Sequence, residues 1–295
     1  MEIKEIASDV YYIPNPANIG VISLNGNATF VDSGLDDDTI RKASQLVESR
    51  GFRPSRIINT HSHADHCGGN AWLQERYNIE IVAPVIESGI IMFPELEPLY
   101  LFSGASPPKE LQSKFLKARP SNVNRTIPID NVIIHEDVDY VPLPGHSPRQ
   151  MGVAYNDVLF CADSVFPEEV LRKHKIPFFT DIEKQLDTLG KLRETSYKIY
   201  IPSHGDPFDD IKSMSDLNEQ YIMDVRNYIL ENALHGKKTT EDVLQNVCDH
   251  YGVRLEKMFN YYLMNTAVMA YLSYFYKKGQ VEALFEGNNQ YWRKL

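Results

Sequence analysis

The sequence predicts an α/β fold, in which a layered sandwich of strands and helices is followed by a helical C-terminal domain. Short strand-like segments separated by turns fill the chain up to about residue 201, and from about Ile211 the pattern is helical nearly to the end. Two strand-rich halves followed by helices fit an α/β sandwich with a C-terminal addition. The 295 residues are 43% hydrophobic and 24% charged, which excludes a disordered or fibrous chain. We expect one domain at residues 1–212 and a second at residues 213–295.

The individual elements follow from turn signals and apolar periodicity. Asn25-Gly26 between two apolar runs is a strong hairpin signal, and Thr239 or Thr240 followed by acidic residues marks a helix start. The predicted strands are residues 10–13, 20–24, 28–32, 56–60, 80–83, 132–134, 139–143, 152–155, 158–161 and 197–201. The predicted helices are residues 39–51 and 71–77, then the stretch from about 211 onward, with breaks at His235-Gly236 and Gly252.

Residues 86–126 differ from the rest of the first half. They contain five prolines with apolar and aromatic residues between them, and they fit neither a regular strand nor a long helix. A long irregular apolar segment inside a compact domain is often a lid or a substrate-binding insertion. We predict a lid-like insertion here, with Phe93, Tyr100 and Phe102 as candidate substrate contacts; a structural wrap over the surface is the alternative.

The charge, the cysteine content and the N-terminus disfavour some kinds of partner and some cellular locations. Lys and Arg number 30 against 40 Asp and Glu, a net charge of −10, so a nucleic-acid partner is disfavoured although a local basic groove would still permit one. The three cysteines make no disulfide framework. The N-terminus has no signal layout and no apolar run reaches about 18 residues, so we expect a cytoplasmic protein without a membrane partner.

The most informative segment is residues 60–69. His61, His63, Asp65 and His66 fall within six residues, between a predicted strand and a predicted helix. Imidazole and carboxylate groups clustered at such spacing are typical of first-row metal sites. The alternative is a histidine-rich turn in which Asp65 caps the helix, but four potential ligands favour the metal site. Cys67, next in the chain, is predicted to be a buried inert thiol.

Three later turns supply further candidate ligands, and each follows a predicted strand. They contain His146, Asp163 and His204. One such residue alone is weak evidence, but together they place polar side chains at the ends of successive strands, where α/β proteins build their sites. His135, His174, His235 and His250 match no motif, and we expect them to be ordinary surface or core histidines.

These residues resemble the metallo-β-lactamase superfamily. Its ordered motifs are an early strand ending in Asp, then HxHxDH, then Gly-His, then Asp, then a final His, and all five occur here in order over about residues 8–210. The resemblance implies an αββα sandwich with a dinuclear metal site. It implies that the first metal is held by His61, His63 and His146, the second by Asp65, His66 and His204, and that Asp163 bridges both. It also implies that Asp32 supports the ligand loop from behind.

The resemblance further implies two divalent metal ions, with Zn²⁺ favoured and Fe or Mn as alternatives. Such ions share a hydroxide that attacks the substrate, and Asp65 would orient it and pass a proton to the leaving group. We expect a small-molecule ester, thioester or lactone as substrate, as in glyoxalase II. The alternatives are a phosphodiesterase or endoribonuclease, a mononuclear iron persulfide dioxygenase using His61, His146 and Asp163, and a metal-binding sensor without activity.

The C-terminal region is similar to the winged-helix tail of the β-lactamase-like protein 2 group, some members of which cleave single-stranded RNA. The match rests on residues 229–285, where helix spacing is followed by a hairpin start at residues 278–281. The tail lacks a basic patch, which disfavours nucleic-acid contact. Its Tyr-rich helix indicates burial against another surface, so we expect a packing, lid-support or homodimerisation role.

Overall fold

The computed structural model describes residues 1–135 and 137–295. Its first sheet has seven strands in chain order. The first four strands pair antiparallel and the last four, which share β4, pair parallel. The strands are β1 (Lys4–Ala7), β2 (Val10–Ile13), β3 (Ile19–Leu24), β4 (Asn27–Val31), β5 (Arg53–Ile58), β6 (Glu80–Pro84) and β7 (Arg125–Ile127). The predicted hairpin is confirmed, since Leu24 pairs with Asn27 across the Asn25-Gly26 turn.

The second sheet has four strands in the order β11, β10, β9, β8. The pairs β8–β9 and β9–β10 are antiparallel, and β10 and β11 are parallel. Its strands are β8 (Asp139–Pro142), β9 (Met151–Tyr155), β10 (Val158–Ala162) and β11 (Ile199–Pro202). The strand predicted at residues 132–134 is wrong. Only Ile133 bridges to Tyr140 there, and Ile134 is 82% exposed, because this stretch lies outside the packed sheet.

The helices that follow the strands cover both outer faces of the sandwich. Those of the first half are α1 (Asp37–Ser49), α2 (Ala64–Cys67), α3 (Asn70–Tyr77), α4 (Glu87–Met92) and α5 (Leu96–Leu101). Those of the second half are α6 (Glu168–His174), α7 (Ile182–Arg193), α8 (Ile211–Tyr228), α9 (Thr240–Tyr251) and α10 (Met258–Lys277). The predictions at residues 39–51 and 71–77 are confirmed by α1 and α3, whereas α6 and α7 had no prediction.

Three apolar layers hold the four-layer αββα sandwich together. The central layer packs the two sheets face to face, with Ile22 and Ile58 from the first and Val153 and Phe160 from the second. The layer outside the first sheet buries α1 and α3 against strands β2 to β5. The layer outside the second sheet buries α7 and α8 and continues into the C-terminal helices. Because successive side chains of a strand point to opposite faces of the sheet, alternate residues of a strand pack in different apolar layers.

The C-terminal region consists of helices closed by a hairpin. A π-helical turn, Ile229–Ala233, ends α8, and Thr239 caps α9 through a capping box with Asp242. Helix α10 is followed by the antiparallel pair β12 (Val281–Glu286) and β13 (Asn289–Lys294). Because this region shares one apolar core with the second sheet, a domain boundary at 212/213 stays a prediction.

The insertion at residues 86–126 contains α4, α5 and a single 3₁₀ turn, Lys109–Leu111, before the chain enters β7. This confirms that it holds neither a regular strand nor a long helix over most of its length. Exposed ion pairs join it to α1: Lys114 lies 2.9 Å from Asp36, and Arg119 lies 2.7 Å from Asp37. Among residues 1–135 and 137–295, no helix is long and apolar enough to cross a membrane.

Candidate metal centre

The predicted ligands converge at one edge of the sandwich because each follows the C-terminal end of a strand. The loop after β5 carries His61 and His63, and α2 begins at once and carries Asp65 and His66. The loops after β8, β10 and β11 carry the three remaining predicted ligands, His146, Asp163 and His204. In parallel α/β sheets this edge is where sites form, since the loops leaving the strands meet there.

One group of donors is formed by His61, His63 and His146. The His63 Nδ1 atom lies 3.1 Å from His61 Nε2 and 3.0 Å from His146 Nε2. All three ligand atoms lie within 4.8 Å of one another, a spacing that one metal ion can span. His61 is fully buried and His146 nearly so.

A second group is formed by Asp65, His66 and His204, with Asp163 between the two groups. His66 Nε2 lies 3.8 Å from an Asp65 oxygen, and His204 Nε2 lies 3.9 Å from the other. Asp163 Oδ1 lies 3.6 Å from His66 Nε2, and its Oδ2 lies 3.2 Å from His146 Nε2 and 3.4 Å from His204 Nε2. Asp163 therefore faces donors of both groups.

Two buried atoms at the site lack hydrogen-bond partners in the described part of the chain. They are His66 Nε2 and Asp163 Oδ1, which lie 3.6 Å from each other. Buried polar atoms without a partner are costly, and a bound ion or water is one arrangement that satisfies them. A set of imidazole and carboxylate donors suits zinc, iron or manganese. The residues therefore fit a divalent metal centre.

The electrostatics of the site also fit a cation. Burial lowers the pKa of His63 to about 3, so this imidazole stays neutral and free to bind a metal. Burial opposes charge on His66 as well, but the carboxylates of Asp65, Asp163 and Asp32 outweigh it and raise the pKa of His66 to about 10. Burial likewise opposes charge on His204, and nearby carboxylates raise its pKa to about 9. The positions of these two rings therefore favour positive charge, as a bound cation would supply.

Hydrogen bonds behind the donors fix their ring orientations. Asp32 Oδ2 accepts from His66 Nδ1 at 2.9 Å, and the same carboxylate accepts from the backbone and hydroxyl of Thr60, each at 2.8 Å. The Phe178 carbonyl lies 2.9 Å from His146 Nδ1, and the Pro16 carbonyl accepts from His204 Nδ1. Each contact leaves the other ring nitrogen facing the site, as in metal-binding histidines.

A cavity of about 680 Å³ opens onto the donors. Its floor includes His63, Asp65, His146, Asp163 and His204, and one wall is formed by the loop after α9 and the first half of α10. The size is typical of a small-molecule site. The cavity lining differs from the predicted substrate contacts. Phe93, Tyr100 and Phe102 are not among its lining residues; Phe93 and Tyr100 are exposed, and Phe102 packs on Tyr262.

Other residues of the insertion line the cavity, namely Glu97, Phe115 and Leu116. Glu97 is 3% exposed, and burial raises the pKa of its carboxyl well above the usual range. His174, which matches no motif, is exposed and also lines the cavity. Cys67 is buried, its thiol donates to the Ser62 carbonyl, and burial raises its pKa, as expected of an inert thiol.

Comparison with known families agrees with this geometry. The model of the metallo-beta-lactamase superfamily matches residues 12–204, which include Asp32 and all seven predicted ligands. The chain therefore belongs to the metallo-β-lactamase superfamily, as the resemblance had implied.

Curated relatives are all matched over part of their length. A hydroxyacylglutathione hydrolase of Buchnera aphidicola is 22% identical over 158 residues, which cover 52% of this chain and 49% of the relative. One from Thiobacillus denitrificans is 49% identical over 41 residues, 14% of this chain and 16% of the relative. The chain thus spans less than half the length of these curated relatives.

Solved structures match over nearly the whole chain. A metallo-beta-lactamase family protein, TTHA1429 of Thermus thermophilus, has a TM-score of 0.75 at 16% identity and covers 98% of this chain and 99% of its own. A beta-lactamase domain protein from Burkholderia ambifaria gives 0.75 at 16%, covering 99% and 95%. The metallo-β-lactamase VMB-1 gives 0.56 at 17%, covering 76% of this chain and 96% of its own. These likenesses establish the fold, and the first two extend over the C-terminal region.

Several residues around the centre are not predicted from the sequence. Glu87 contacts two ligand loops, and Lys173, Lys175 and Arg254 line the cavity. None of them lies within a ligand motif, so periodicity and local spacing carry no signal for it. The basic run at residues 172–175 is the sequence signal for the two lysines, but the sequence does not place this run beside the predicted ligands.

Proposed function

We propose that the chain is a dinuclear metal-dependent hydrolase that cleaves a small ester, thioester or lactone. The observation that carries the proposal is the pair of adjacent donor groups with Asp163 facing both. When bound, two Zn²⁺ ions supply Lewis acidity and a hydroxide nucleophile at neutral pH. In this proposal the first ion is held by His61, His63 and His146, the second by Asp65, His66 and His204, and Asp163 is shared. Fe or Mn could occupy the same donors.

Asp65 is the proposed proton carrier. Its side chain is 40% exposed and lines the cavity, whereas the neighbouring donors Asp163 and His66 are buried. A carboxylate that borders both the donor groups and the substrate space can orient the nucleophile and then deliver a proton to the leaving group. Asp32 acts at a distance from the substrate, by holding the ring of His66.

The cavity lining supports an anionic substrate with an apolar part. Lys173, Lys175 and Arg254 are exposed residues on its rim, and none of them has an ion-pair partner within residues 1–135 and 137–295. The walls between rim and floor are largely apolar, with Phe178 and Leu263 among them. The curated relatives named above are hydroxyacylglutathione hydrolases, and their name favours a thioester among the three substrate types.

The rim cations also favour a second candidate, a phosphodiesterase, because Lys and Arg recognise phosphate. The same purified protein distinguishes the two through parallel assays with acyl thioesters and bis(p-nitrophenyl) phosphate. A faster reaction with the phosphodiester would replace the first proposal by the second.

The activity is tested on metal-loaded protein with a panel of thioesters, esters and lactones. We expect hydrolysis that disappears after chelation and returns with Zn²⁺. H63A should abolish both the activity and the binding of one ion, whereas H235A, which changes an exposed histidine outside the cavity, should abolish neither. Loaded protein that cleaves no member of the panel, or an H63A variant as active as the wild type, would refute the proposal.

We also propose that residues 1–212 form the catalytic domain and that residues 213–295 form a domain that completes the substrate cavity. The support is the position of Phe259, Leu263 and Met264 of α10 in the cavity wall. In this proposal the C-terminal region helps to bind the small-molecule substrate, and its presence requires no contact with nucleic acid.

A further inference from the structure

Glu87 is a fully buried carboxylate that none of the sequence motifs contains. It is the first residue of α4 and has no exposed surface. Within the described residues none of the ion pairs involves Glu87, and its side chain is held by hydrogen bonds instead. A buried carboxylate is stable only where hydrogen-bond donors of the protein replace the water molecules that it loses on burial.

The donors come from two loops, one at each oxygen of Glu87. Oε2 accepts from the backbone N–H of Ser62 at 3.2 Å and from the Ser62 hydroxyl at 2.6 Å. Oε1 accepts from the Ser147 hydroxyl at 2.8 Å and from the backbone N–H of Arg149 at 2.9 Å. All four donors are neutral, and the two loops are joined through this one side chain.

These loops carry the first donor group and none of the second. Ser62 lies between His61 and His63, and Ser147 directly follows His146. We propose that Glu87 is a positioning residue that holds these three histidines in register for the first metal ion, by clamping the loop after β5 to the loop after β8. The inference rests on the metal centre of the proposed function but not on the reaction.

The backbone conformation of the residue before Glu87 indicates that contacts fix the position of the Glu87 side chain. Ile86 has φ 76° and ψ −58°, a conformation with positive φ that a β-branched residue rarely adopts. Its side chain is 51% exposed, so packing of Ile86 itself does not explain the conformation. Strain of this kind persists where neighbouring contacts determine the geometry, and the four hydrogen bonds of Glu87 are such contacts.

The amide of glutamine cannot replace this carboxylate. In either orientation of the E87Q amide, its NH₂ group faces a backbone N–H, that of Ser62 or that of Arg149, and neither can turn away. One donor is therefore left without a partner. We expect the affinity of the first donor group for Zn²⁺ to fall about 10- to 100-fold, as when outer contacts of metal ligands are removed. The second donor group has no contact with Glu87 and should keep its affinity.

The test measures Zn²⁺ affinity by competition with a chromophoric chelator in two single-site backgrounds. H204A disables the second donor group and H146A disables the first. E87Q should weaken Zn²⁺ binding in the H204A background and leave it within about threefold in the H146A background. E95Q is the matched control, since Glu95 is an exposed carboxylate of the same insertion, paired with Lys117, and it should change neither affinity.

Equal losses in both backgrounds, or no loss in either, would overturn the proposal, because a merely structural carboxylate would not select one donor group. If E87Q does not fold, S147A removes a single hydrogen bond of the clamp and should give a smaller loss with the same selectivity. The readout needs no substrate, so absence of hydrolysis would count against the proposed function alone. A wild type that binds no Zn²⁺ would overturn both.

Discussion

The contact between Asp32 and His66 gives a sharp prediction for D32N. Asp32 has φ 62°, a conformation that asparagine also tolerates, so the substitution changes charge and hydrogen bonding but not the backbone. The carboxylate accepts three hydrogen bonds, from Thr60 N, Thr60 Oγ1 and His66 Nδ1. The side-chain amide that D32N introduces would have only one accepting oxygen.

The size of the effect follows from the two ways the new amide can lie. If its oxygen takes the bond from Thr60 N, its NH₂ group faces His66 Nδ1, so the proton of the neutral ring must lie on Nε2, the atom that faces Asp163. A protonated Nε2 cannot bind a metal, and losses of this kind cost about 10- to 100-fold in metal affinity, or about 1.4–2.7 kcal/mol. In the other orientation a buried backbone N–H loses its acceptor, which costs about 1–3 kcal/mol.

The assay is Zn²⁺ competition with the H146A background, in which only the second donor group remains, together with nitrogen NMR of the histidine rings. We expect D32N to weaken this group about 10- to 100-fold and the NMR spectrum to report a changed His66 tautomer. A folded D32N protein with wild-type affinity and an unchanged tautomer would refute the role assigned to Asp32.

Three further predictions follow from the same structure. H63A should lose both metal content and turnover, whereas D65N should lose more turnover than metal, which metal analysis beside kcat would separate. R254Q should raise KM for an anionic thioester about fivefold but not for its neutral analogue. R172Q, whose native side chain pairs with Glu168, should not raise it, and equal effects of the two variants would contradict the rim site. Lys114 holds the pKa of Asp36 at about 2, below its usual value, so the ionised form stabilises the fold. D36N should therefore cost up to about 1 kcal/mol in the free energy of unfolding above pH 4, and this difference should be lost as the pH falls through about 2.

The donors were predictable because their signal is local and repeated. His61, His63, Asp65 and His66 fall within six residues, and each later donor follows an apolar run that reads as a strand. Strand ends meet at one edge of a sheet, so the sequence could predict convergence without distances. The Asn25-Gly26 hairpin and the cap of α9 were predictable for a similar reason, since a few adjacent residues determine each.

What the sequence did not reveal depends on packing between distant segments. Glu87 meets Ser62 and Ser147 only in the folded chain, and its burial contradicts the usual place of a glutamate. Phe93 and Tyr100 are aromatic residues of the insertion, but the insertion packs on α10 through Leu101, Leu111 and Leu116, a contact between distant segments that the sequence does not show. The apolar run at residues 132–134 suggested a strand although no sheet covers Ile134.

The central claim is that two donor groups bind two metal ions, and metal analysis tests it most directly. Plasma mass spectrometry on protein purified without added metal would give the identity and number of ions per chain. The account predicts about two ions of zinc or manganese per chain, falling to about one in H204A. About one iron ion per chain, unaffected by H204A, would contradict it and move the interpretation to oxygen-dependent chemistry at a single metal.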